Sequence, residues 1–143
     1  MRGFTLIELL TVITLFTIII MLGLFMSAET LRGTLVRSDQ TIIVSFLQDA
    51  RSRSMNNILQ SPWGVCYLAP NYLVFKGSVC ANAAAVESVA ANPAVAADSN
   101  FTNTFPTVIF TQLSGTTTPA TTTLIQDGKS KIITVQNEGT IIW

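Results

Sequence analysis

The pattern of apolar and polar positions changes character twice along this chain. From Leu9 to Met26 every residue is apolar except Thr11, Thr14, Thr17 and Gly23. Starting from Phe4 the run reaches 23 residues and holds one charge, Glu8. At the α-helical rise that is roughly 34 Å, close to the thickness of a bilayer core. In lipid a helix is the only single-segment way to satisfy the backbone. The first third therefore predicts one membrane-spanning helix.

Beyond Met26 the pattern becomes amphipathic. Leu31, Leu35, Ile42, Phe46, Leu47, Ala50 and Ile58 recur at three- and four-residue steps, and Asp39 interrupts the stripe. Asp49 and Arg53 stand four apart, the spacing of an exposed helical ion pair. No proline occurs before Pro62, so the membrane helix is expected to continue into the amphipathic one and to end between Asn56 and Gln60.

The remainder reads as β structure. "PWGVCYLAPNYLVFKG" predicts two strands around a Pro70-Asn71 turn, and "TVIFTQL" another strand. Residues 81–100 are alanine-rich and read as a surface loop, and "SGTTTPATTT" as a polar loop or poor edge strand. The tail predicts strands around turns at Asp127-Gly128 and Asn137-Glu138-Gly139. The expected fold class is α+β, with a long N-terminal helix whose amphipathic half covers one face of a C-terminal antiparallel sheet. The expected segments are 1–3 as a leader, 4–28 as the transmembrane half of the helix, 29–60 as its amphipathic half, and 61–143 as the β domain.

Composition narrows the chemistry. Eight basic and eight acidic side chains cancel, and there is no histidine. Serine and cysteine triads that use histidine are excluded, as is histidine-ligated metal. No basic stripe supports attraction to nucleic acid. The carboxylates are scattered with no paired motif, so no enzyme, metal or cofactor is expected. The aromatic residues Trp63, Tyr67, Tyr72, Phe75, Phe105 and Phe110 read as packing, with Trp143 the one expected to be exposed.

Cys66 and Cys80 enclose a loop of roughly 15 residues, whose closure stabilises by about 3 kcal/mol when unstrained. A redox or metal pair lacks the C-x-x-C spacing, which favours a structural disulfide. The Pro70-Asn71 turn would set Cys66 opposite Phe75, requiring Cys80 to fold back past Gly77. The lead before the span is too short to form a translocated domain, which favours a cytoplasmic N-terminus and oxidising surroundings for the cysteines.

The opening Gly3-Phe4-Thr5-Leu6-Ile7-Glu8-Leu9-Leu10, after Met1-Arg2, resembles the processing site of type IV prepilins and type II secretion pseudopilins. The resemblance implies cleavage after Gly3 by a prepilin peptidase and methylation of the new N-terminus at Phe4. It implies that Glu8 acts in assembly, neutralising the amino group of a neighbouring subunit. Physical chemistry agrees that the pair is feasible: a charged amino group at Phe4 and the Glu8 carboxylate are each expensive in lipid, and four residues apart they share a helical face.

The implied product is a structural subunit of a pilus-like filament or secretion pseudopilus. It would be made as a single-pass inner-membrane protein with an extracytoplasmic C-terminal domain. Its partners would be other pilin or pseudopilin subunits, an inner-membrane platform protein and an assembly ATPase. Two departures from major pilins stand out. Phe25 and Thr17 occupy the places where those often carry proline and glycine, and the cysteines follow the long helix instead of closing a C-terminal loop. The second feature resembles minor, H-type pseudopilins. The alternatives are an anchored extracytoplasmic binding module that never polymerises and a minor pilin of DNA uptake.

Overall fold

A computed structural model describes residues 5–81, 84–93, 105–126 and 129–143, with residues 24–33, 126 and 129 described by their backbone alone. Helix α1 runs from Leu6 to Met55. The strands that follow are β1 (Trp63–Leu68), β2 (Asn71–Lys76), β3 (Ala85–Ala90), β4 (Val108–Phe110), β5 (Ala120–Gln126), β6 (Lys129–Val135) and β7 (Ile141–Ile142). The α+β class expected from the sequence holds. The chain divides into two compact units, residues 1–34 and 35–143, and α1 contributes to both.

In the first unit the stretch Leu6–Gly23 is apolar enough to cross a membrane, with a mean hydropathy of 2.5 over 18 residues. Every side chain in it is exposed. Its threonines are satisfied locally. Thr11 Oγ1 donates to the Glu8 carbonyl at 2.9 Å, and Thr17 Oγ1 to the carbonyls of Ile13 and Thr14 at 3.2 and 2.8 Å. Thr14 bonds to Leu10 and Thr11 in the same way. Such back-bonding lets hydroxyl side chains sit in an apolar helix without an orphan donor.

The second unit is built on two antiparallel sheets, ordered β3-β2-β1-β4 and β5-β6-β7. The buried stripe of α1 comprises Val36, Asp39, Gln40, Ile43, Val44, Phe46, Leu47, Ala50 and Ser54. The sequence stripe found Phe46, Leu47 and Ala50 but lay partly off the true face. Leu35 and Ile58 are exposed and Ile42 is half-buried, while the polar residues Asp39 and Ser54 sit inside the face. Their polarity masked its three- and four-residue spacing.

Strands β1 and β2 are apolar on both faces because both are covered. Trp63, Val65, Tyr72 and Val74 face the core shared with α1 and the second sheet, which contributes Leu124, Ile133 and Val135. Cys66, Leu73 and Phe75 face the other way and pack with Cys80, Ala84, Ala85 and Ile109. The aromatic residues expected in the core are there, and Trp143 is 63% exposed.

Three expectations change. Residues 85–90, read as loop, form β3, paired with β2 from Asn71↔Ala90 to Phe75↔Ala85. Alanine is a poor strand former, but at this edge the small Ala84 and Ala85 fit against the Phe75 cluster, and packing overrides propensity. The hairpin turn is Ala69-Pro70, one residue earlier than expected, so Cys66 pairs with Leu73 and not with Phe75. Leu73 and Phe75 share a face, so the cysteine still meets the anticipated side of the sheet. Helix α1 ends at Met55, before the window expected, and a 3-10 turn follows at Ile58–Gln60.

The Asn137-Glu138-Gly139 turn is present, with Gly139 at φ +76°. Its Gly139 N–H donates to the Gln136 carbonyl at 2.9 Å. The Asp127-Gly128 turn lies outside the described residues, although β5 and β6 pair up to Gln126↔Lys129 on either side of it.

Candidate functional site

The sequence directs attention to the start of α1. Gly3 and Phe4 lie outside the described residues. Glu8 stands in the first turn of the helix and is exposed. Its backbone N–H donates to the Thr5 carbonyl at 3.1 Å, as does that of Leu9 at 3.3 Å, so Thr5 occupies the cap position. Thr5 and Glu8 therefore have the T-x-x-E spacing of a capping box, a local signal missed in reading the sequence. An anion in the first turn is also favoured by the helix dipole. These effects offer Glu8 a purpose within one chain, and they compete with the role implied by the prepilin resemblance.

Around Glu8 the surface is apolar. Leu6 is 79% exposed, and Ile7, Leu9, Leu10, Ile13, Phe16 and Ile19 are exposed as well. A contiguous apolar surface of this extent is not stable in water and requires cover, whether by lipid or by other helices.

Cys66 and Cys80 form a disulfide, with Cα atoms 6.2 Å apart. Cys66 is buried on the outer face of the first sheet, and the bridge fastens the segment after β2 back across β1. The apolar side chains packed around it are Leu73, Phe75, Ala84, Ala85 and Ile109. The disulfide that the sequence favoured is thus formed. Among the described residues no cluster of histidine, cysteine or carboxylate side chains could hold a metal.

Two ionisable groups lie in the core: Asp39, which the sequence showed only as an interruption of the helical stripe, and Tyr72, expected there as a packing residue. Asp39 is 2% exposed, and its Oδ2 accepts a hydrogen bond from the Asn92 N–H at 3.3 Å. Burial holds its carboxyl above the usual range, and the Asn92 bond offsets that only in part. Tyr72 is fully buried, its ring 5.9 Å from Phe105 and 5.3 Å from Tyr67. Its hydroxyl has no hydrogen-bond partner among the described residues. Burial raises its pKa, and the nearby Asp39 charge and Tyr67 raise it further.

Nearer the end of α1, Arg53 closes an ion pair with Asp49 at 2.7 Å, as the four-residue spacing predicted. It also reaches Glu87 of β3 at 3.5 Å and lies 4.9 Å over the Trp63 ring. These contacts tie helix to sheet. Comparison with protein-family models, with curated proteins and with solved structures finds no match to this chain.

Proposed function

We propose that this chain is a structural subunit of a type IV pilus-like filament or a type II secretion pseudopilus. Its precursor would be inserted in the inner membrane, cleaved after Gly3 and methylated at Phe4. The observation that carries the reading is the helical stretch Leu6–Gly23, wholly exposed and apolar, with a single carboxylate, Glu8, in its first turn. Lipid covers such a surface before assembly, and the helices of sibling subunits cover it afterwards. A charge is costly at that depth, so its retention calls for a partner. The new amino group on Phe4 of a neighbouring subunit supplies one and fixes the axial register of helices otherwise held by non-directional contacts. The α+β second unit is then the part displayed on the filament surface. The prepilin peptidase, a platform protein and an assembly ATPase are the partners this role requires.

The N-terminal mass of the protein recovered from its native membrane tests the reading. A chain beginning at methylated Phe4 supports it. A chain still beginning at Met1, in cells whose peptidase processes another substrate, leaves an anchored extracytoplasmic module and removes the filament reading.

A further inference from the structure

On the second unit, a cleft of about 410 Å³ opens between the last turns of α1 and the segment containing β7. This lies within the roughly 300–1,000 Å³ of small-ligand sites. Gln48, Arg51, Asn56 and Thr140 supply its principal polar groups, and Met55 and Trp143 much of its apolar surface. Gln48, Arg51 and Met55 stand at three- and four-residue steps, so α1 presents them as one wall, and Asn56 follows directly after the helix.

The cleft has one built feature, its cation. Arg51 Nη2 donates to the Glu138 carbonyl at 3.2 Å, which anchors the guanidinium against the Asn137-Glu138-Gly139 turn. Gly139, at φ +76°, is what lets the turn come so close, because a Cβ there would lie 2.8 Å from Arg51 Nε and collide with the Gly115 carbonyl. The charge is thus positioned in advance of any ligand, and among the described residues the cleft's lining holds no Asp or Glu side chain.

The lining selects a ligand class. An apolar ligand would need enclosing apolar walls, whereas this cleft is open and sets amide, hydroxyl and guanidinium groups beside its apolar surface. Amides and hydroxyls match the alternating donors and acceptors of sugar hydroxyls, and the exposed Trp143 indole offers a flat apolar face to the C–H side of a pyranose ring. The Arg51 guanidinium adds a preference for a carboxylate, which it can hold through two parallel hydrogen bonds. We infer that the cleft between the segment 48–56, at the end of α1, and the segment 140–143 binds acidic saccharides of the uronic-acid class. This goes beyond the assembly reading and stands whether or not the chain polymerises.

The test is titration of the full chain in detergent micelles with an oligogalacturonate tetrasaccharide, with maltotetraose as the neutral counterpart. Binding is followed by calorimetry and by tryptophan fluorescence. Trp63 is 1% exposed, so a change on binding reports on Trp143. Saturable binding of the acidic sugar is expected, weakened about tenfold or more by Arg51→Met, the size of a lost charge-assisted hydrogen bond. Because Arg51 also braces the turn, Gln48→Ala serves as an independent variant at an exposed position, and it too is expected to weaken binding. Absence of saturable binding, equal binding of maltotetraose, or affinity unchanged in both variants would overturn the inference.

Discussion

Asp39 of α1 and Asn92, two residues beyond β3, are joined across the core by a hydrogen bond from the Asn92 N–H to Asp39 Oδ2, 3.3 Å long. The bond links the helix to the end of the edge strand, but it does so with a carboxylate that is 2% exposed. One long hydrogen bond does not replace the hydration that a buried charge loses. The unfolded chain titrates this group near 3.8, and the folded chain titrates it higher. Between those two values the folded state binds more protons, so stability from this residue is full below 3.8 and falls as pH rises through the folded value. Asp39→Asn keeps an acceptor for Asn92 and removes the charge. The variant is expected to melt higher than the parent at neutral pH, and the gap should close as pH falls toward 3.8. Thermal melts of both proteins across that range check the sign, and a variant less stable at neutral pH would refute it.

The disulfide makes a separate contribution. Cys66 and Cys80 are 14 positions apart, and closing a loop of about that length restricts the unfolded chain by about 3 kcal/mol. The double substitution Cys66→Ala, Cys80→Ala is expected to lower the urea midpoint by a corresponding amount. Reductant should lower the parent's midpoint similarly and leave the variant's unchanged. Saccharide binding at the cleft, whose lining includes neither Cys66 nor Cys80, should not follow the redox state.

Ser54 is fully buried and joins three segments. Its Oγ donates to the Phe110 carbonyl at 3.0 Å and accepts from the Trp63 N–H at 2.9 Å, while its own carbonyl accepts from Leu113 at 2.9 Å. Ser54→Ala leaves two buried backbone groups of β1 and β4 without partners. A loss of about 1–3 kcal/mol is expected. Equilibrium denaturation measures it, and a loss below a few tenths would mean that those groups find other partners.

The parts of this structure that could be read in the sequence are those whose signal is local and uniform. The apolar run after Phe4, the Asp49–Arg53 pair, the glycine of the last turn and the continuous apolar strands around Cys66 each carry their instruction in adjacent residues. Asp39 and Ser54 were opaque because their partners, Asn92 and Phe110, lie 53 and 56 positions away. A polar residue on a helical face reads as an interruption until its partner is known. The strand at Ala85–Ala90 was hidden for the opposite reason: its residues state no preference of their own, and β2 together with the Phe75 cluster decides for them. At the candidate assembly site the sequence located Glu8 and its apolar setting, while the equally local T-x-x-E signal of Thr5 was overlooked until the backbone bonds at Thr5 drew attention to it.

That cap also provides a way to separate the two roles of Glu8. Its carboxylate either serves its own helix, as the distal member of a capping box, or neutralises the amino group of a neighbouring subunit. Glutamine in the same place can make the capping-box hydrogen bond but carries no charge. If capping were the whole role, Glu8→Gln would assemble like the parent and Glu8→Ala alone would fail. If charge pairing governs assembly, both variants are inserted and processed normally, and both lose filaments to a similar degree. The proposed function predicts the second pattern, read as filament yield by electron microscopy from cells in which cleavage after Gly3 is confirmed by mass. Circular dichroism of the purified chains supplies the control, since equal helicity in Glu8→Ala and Glu8→Gln assigns the lost assembly to the charge and not to a frayed helix.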